Sequence, residues 1–140
     1  LLSEVDNAIF EFHNVLQEID MLNEVTTFSM SEFGRTLTSN GNGTDHAWGS
    51  NQMIMGGPIQ GKQVFGEYPS LALTNNPLNV SNRGRMIPTT SVDEMFAELA
   101  LWFGVSPNDL SYVLPNICNF YSTSCPADPP TGYMPIGMFN

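Results

Sequence analysis

Glycine or proline interrupts the chain every few residues from Gly34 to Pro88, and this spacing constrains the fold more than any other feature. Gly34, Gly41, Gly43 and Gly49 are followed by Gly56-Gly57-Pro58, then by Gly61, Gly66, Pro69, Pro77 and Gly84. Glycine weakens a helix interior, and proline breaks a helix and removes a ladder donor from a strand. Long regular elements are therefore confined to the flanks of this region. Within it the reading is a long loop over residues 30–51, a short apolar strand at Gln52–Met55, loop over 59–88, and an extended edge at Met86-Ile87.

The flanks carry helical periodicity. Val5, Ala8, Ile9, Phe12, Val15, Leu16 and Ile19 recur at helical spacing and predict an amphipathic helix over residues 3–22. Glu4, Glu11, Glu18 and Asp20 take its wet side. Val25-Thr26-Thr27-Phe28-Ser29 is β-branched and aromatic and predicts a short buried strand. A helix feeding such a strand points to an α/β layer. Downstream, Ser91-Val92-Asp93-Glu94 is a capping box, opening a helix that Gly104 stops in the C′ position. Met95, Phe96, Leu99, Ala100 and Phe103 form its expected apolar stripe. Ser106-Pro107-Asn108-Asp109 starts a further short helix that ends before Pro115. Residues 121–140 read as a Pro-rich irregular tail.

Charge excludes whole classes of partner. The 140 residues hold fourteen acids against four bases, Arg35, Lys62, Arg83 and Arg85, for a formal charge of −10. Four scattered cations cannot build the basic face that nucleic acid requires. An anionic membrane surface is disfavoured for the same reason, and no apolar run approaches the ~20 residues of a membrane span. The opening Leu1-Leu2-Ser3 has neither an initiator Met nor a leader pattern. It is read as the start of a fragment or a processed chain. Cys118 and Cys125 lie seven apart in the sequence and can close a small loop as a disulfide; two buried thiols are the alternative.

Polar chemistry concentrates after the first strand, where ligands collect in open α/β sheets. Asp45-His46 offers a carboxylate and an imidazole, both ligands for a zinc-type ion. Glu32 can supply a third oxygen, and Arg35 has the planar fork that matches phosphate or sulfate. Each has a plainer reading: a turn residue, a surface histidine, a solvated acid, an arginine in an ion pair. His13 reads as a surface or boundary histidine. Met53, Met55, Met86 and Met95 read as core filler, and Arg83-Gly84-Arg85 reads as a structured turn with ion pairs.

Several segments together resemble one family. They are Val25 to Thr36, Asn40-Gly-Asn-Gly-Thr-Asp-His46, Met55-Gly-Gly57 with Gly61, Phe65-Gly66 with Tyr68-Pro69-Ser70-Leu71, Gly84 to Glu94, and Leu99 through Val105 to Leu114-Pro-Asn-Ile117. Over residues 20–120 the chain resembles the C-terminal part of the domain-of-unknown-function family 1501. The resemblance implies a secreted bacterial protein, periplasmic or extracellular, related to alkaline phosphatases and sulfatases. The implied fold is α/β: the C-terminal portion of an alkaline-phosphatase-like α/β/α sandwich with long irregular loops. Residues 1–120 would belong to that domain and 121–140 to the tail.

The resemblance allows two placements of the superfamily's ligands, and the second is preferred because Glu32 lies three residues past the strand whereas Asp45 lies far into a loop. Asp45-His46 can be its Asp-His pair. Alternatively Ser31-Glu32-Phe33-Gly34 stands where the superfamily has Asp-His-Gly, with His46 as the later histidine; Phe33 then replaces a ligand. The resemblance implies a divalent metal, zinc, calcium or manganese, on Glu32, Asp45 and His46, with Arg35 holding a substrate anion. It further implies that the nucleophile lies outside this chain, and that the partner is the N-terminal part of the same domain or another protein chain. Three functions follow: a metal-dependent phosphate or sulfate ester hydrolase, a non-catalytic surface or assembly protein on the same fold, and a calcium-stabilised module. The acceptor patterns at Asn42 and Asn79 carry little weight.

Overall fold

A computed structural model describes residues 2–120 and 136–139. Its elements in chain order are α1 (Leu2–Glu18), β1 (Thr26–Phe28), β2 (Gly34–Ser39), β3 (Thr44–Ala47), β4 (Ile54–Gly56), β5 (Asn79–Val80), β6 (Arg85–Met86), α2 (Val92–Trp102) and α3 (Leu110–Val113). The chain is mixed α/β. Its strands pair antiparallel in three two-stranded sheets, β1 with β4, β2 with β3, and β5 with β6. The chain gathers into two compact units. One comprises residues 2–30 with 52–61, the other 31–51 with 62–120 and 136–139.

In the first unit α1 ends earlier than the apolar periodicity predicts. Asp20 adopts a left-handed conformation, φ 56°. The Met21 amide reaches back to the Leu16 carbonyl at 2.8 Å, and the Asp20 amide to Gln17 at 3.2 Å. This pair of bonds is a Schellman closure with aspartate in the position glycine usually takes. Leu16 is the buried residue of α1. With Ile9, Phe12 and His13 it lines a small groove closed by Leu22, Thr27, Met55 and Gly56. The helix thus lies against the β1–β4 pair, whose register sets Thr27 opposite Met55. Both predicted strands exist here, each shorter than expected, and β1 is half-buried with Phe28 exposed where a buried strand was expected.

The second unit corrects the reading of residues 30–51 as loop. They form the β2–β3 hairpin, in which Gly34 faces Ala47 and Arg35 faces His46. Asn40 closes the turn, accepting the Asn42 amide on its side chain and donating its own amide to the Gly43 carbonyl. The register then slips between Arg35 and Ser39. The cause is β6 and its turn: the amides of Leu37 and Thr38 bond to the carbonyls of Gly84 and Arg83 instead of to β3. A bulge of this kind redirects strand donors. The extended edge expected at Met86-Ile87 falls one residue earlier, as β6.

The capping box of α2 forms as expected: Ser91 Oγ accepts the Glu94 amide and Glu94 bonds back to the Ser91 amide. Gly104 follows the last turn with φ +102°, a conformation that glycine adopts without strain. The expected stripe on α2 is displaced. The fully buried positions are Ala97 and Glu98, whereas Phe103 at the C-cap is 83% exposed. Ala97 packs with Leu110 and Ile117, surrounded by Ala100, Leu101, Val105 and Leu114. The displacement has a cause in the tail. Residues 136–139 lie on α2, with Met138 and Phe139 buried and Phe139 stacked on Trp102 at 5.4 Å. The rest of the predicted irregular tail, including Cys125, lies outside the described residues. Cys118 is disulfide-bonded, so a thiol assay under denaturing, non-reducing conditions is expected to find no free thiol.

Candidate functional site on the hairpin

Alternation along β3 decides what its polar residues can do together. Successive side chains on a strand point to opposite faces, so Asp45 and His46 turn away from each other. His46 is exposed and lies across from Arg35. Its ring stacks on Phe33, with centroids 3.8 Å apart and planes inclined by 18°. The Arg35 guanidinium sits 5.2 Å from the same Phe33 ring and donates from Nη1 to the Thr44 carbonyl at 3.0 Å. Such a contact holds a guanidinium in place and leaves its remaining donors toward water. Phe33, Arg35 and His46 therefore form one surface cluster. Trp48, two residues past His46, is 58% exposed.

The other face is an ion-pair network. Arg83 Nη1 meets Asp45 Oδ2 at 2.5 Å, and Asn40 donates to Asp45 Oδ1 at 2.7 Å. Arg83 also donates to Thr38 Oγ1 at 3.3 Å and to the Ser39 carbonyl at 3.4 Å. Arg85 donates through Nε to the His46 carbonyl at 3.2 Å. The reading of Arg83-Gly84-Arg85 as a turn with ion pairs is met at Arg83, whereas Arg85 begins β6 and bonds to a backbone carbonyl. Both oxygens of Asp45 are engaged. The Asn40 hydrogen bond is the largest influence; desolvation opposes it, and the charge and hydrogen bond of Arg83 with the charge of Arg85 leave the carboxyl below the ordinary value of 3.8. A depressed folded-state value means that the contribution of Asp45 is present above 3.8 and disappears as pH falls through the lowered value. Wild type and Asp45→Asn are therefore expected to differ in melting temperature at pH 7, with the difference shrinking progressively as pH falls below 3.8. A difference that grows on acidification contradicts the network.

Of the residues expected as ligands, Glu32 is exposed at the bend before β2. Among the described residues no group of three or more His, Cys, Asp or Glu is placed to hold a metal ion. The structure brings Arg35 and His46 together, with Phe33 between their functions, and separates Asp45 from both. The sequence reading missed Glu98. Its signal was an acid inside an otherwise apolar run, Phe96 to Leu101.

No curated protein and no solved structure matches the chain. Among the described residues no helix is long and apolar enough to cross a membrane. The family model described as "Protein of unknown function (DUF1501)" matches residues 1–112, and the chain belongs to that family.

Proposed function

We propose that the chain is the C-terminal part of a secreted bacterial protein, periplasmic or extracellular, with an alkaline-phosphatase-like α/β/α ancestry, and that its role is recognition or assembly. One observation carries the choice of role: Asp45 and His46 face opposite sides of β3, and both Asp45 oxygens are already bonded. One ion cannot take both residues without breaking the hairpin's ion pair. The donor set therefore does not fit a metal on Glu32, Asp45 and His46. The surplus of acids and the glycine- and proline-rich loops suit an extracellular binding surface.

The second reading keeps hydrolysis, with the metal and nucleophile supplied from elsewhere. It is favoured by the side-by-side Arg35 and His46, which can hold a phosphate or sulfate group. Elemental analysis of the natively purified protein, with His46→Ala alongside, tests the binding reading against a metal held on the hairpin. The binding reading expects no stoichiometric transition metal in the wild type and the same content in the variant. A stoichiometric metal lost in His46→Ala overturns it.

A further inference from the structure

Helix α1 exposes a second surface, unrelated to the hairpin. Val5, Ala8, Phe12, Val15 and Ile19 are spaced alternately three and four residues apart, the a and d positions of a heptad. Ile19 continues the helical bonding through its amide to the Val15 carbonyl. Of these five, Phe12 alone also lines the groove against the unit's own sheet. Leu16 and Ile9, at the neighbouring e positions, fill the groove against Thr27 and Met55. The seam itself stays in solvent, with Val5 41%, Phe12 44%, Val15 49% and Ile19 56% exposed. Along its other border run Glu4, Glu11 and Glu18, each at position g.

Charge says what covers the seam. Residues 1–30 and 52–61 carry Glu4, Asp6, Glu11, Glu18, Asp20 and Glu24 and contain neither lysine nor arginine. Residues flanking a heptad seam select the partner through their charges. A second copy is a poor partner: antiparallel pairing sets the glutamate rows against each other, and each chain already carries −10. Parallel pairing needs the e positions, which are occupied by the chain's own groove. We propose that the α1 seam docks an amphipathic helix of another polypeptide segment, apolar at a and d and lined with lysine or arginine along the edge that meets Glu11 and Glu18. This deepens the recognition role proposed above. It uses none of the hairpin residues, so its failure is separable from a failure of the hairpin reading.

The test uses the whole chain and a synthetic helix of about three heptads, with leucine at a and d and lysine at e and g. A glutamate version and a scrambled lysine version of the same peptide serve as controls. Fluorescence anisotropy is expected to show saturable binding of the lysine helix, weakened by salt, and binding of each control at least about tenfold weaker. Phe12→Ser is expected to weaken the lysine helix by about tenfold or more. The exposed double variant Glu11→Lys with Glu18→Lys is expected to prefer the glutamate helix, which tests the idea independently of any loss of packing. Equal binding of the lysine helix and its scrambled version overturns the proposal. So does indifference to the double charge reversal, or self-association of the chain that Phe12→Ser abolishes.

Discussion

Glu98→Ala is expected to destabilise the second unit by roughly 3–5 kcal/mol, from about 1–3 kcal/mol for each buried N–H left without an acceptor and partial relaxation of the site. Glu98 is fully buried on α2. Its Oε1 accepts the amides of Ile136 and Gly137, and its Oε2 accepts the Met138 amide at 2.8 Å. A buried carboxylate is tolerated only when its lone pairs are satisfied, and here three backbone donors satisfy it without a cation. The same bonds fix the end of the chain on α2 and bring Phe139 onto Trp102. Glu98→Gln keeps the shape but turns one acceptor into a donor facing an N–H, so its cost is expected to be smaller, about 1–3 kcal/mol. Urea denaturation followed by tryptophan fluorescence ranks the three proteins. Glu98→Ala within about 1 kcal/mol of wild type would contradict the clamp.

Gly84→Ala is expected to cost roughly 2–4 kcal/mol, the sum of a left-handed backbone penalty of about 1–2 kcal/mol and a steric clash. Gly84 has φ +77°, and an added Cβ would lie 2.4 Å from Leu37 Cβ and 2.8 Å from the Leu37 amide nitrogen. The turn between β5 and β6 approaches β2 so closely because it supplies the acceptors that the bulge of β2 needs. Moving it also moves Arg83 away from Asp45. The variant is expected to lose the pH-dependent contribution of Asp45 together with stability, and Asp45→Asn in the Gly84→Ala background should then add little. Full additivity of the two changes would show that the turn and the ion pair are independent.

The elements readable in the sequence are those whose signal is local. The capping box at Ser91 and Glu94, the helix stop at Gly104 and the apolar strand around Ile54 each lie within a few residues of their cause. The β2–β3 hairpin reads as loop in the sequence. Asn40-Gly41 is a strong turn signal, but Gly34 and the flanking polar residues masked a strand whose buried positions are glycine and threonine. The register slip was not readable, since its cause is a turn more than 40 residues away. Asp20 ends α1 in a conformation that only its neighbours' bonds reveal.

The candidate site was legible as a list of residues and not as an arrangement. Arg35, Asp45 and His46 were each identified. Adjacency in sequence suggested that Asp45 and His46 act on one ligand, whereas strand geometry turns them apart. In the sequence Phe33 reads only as a replaced ligand, yet its ring is what joins Arg35 and His46. Glu98 was hidden because its partners are backbone amides almost 40 residues downstream.

The measurement closest to the central claim is a zinc titration followed residue by residue in ¹H–¹⁵N spectra. Opposite faces for Asp45 and His46 predict that any zinc-induced shift at His46 is weak and non-saturating near one equivalent, and that Asp45, Asn40 and Arg83 stay in place. Joint saturation of Asp45 and His46 at one equivalent, with Arg83 released, would contradict that claim and restore the metal centre.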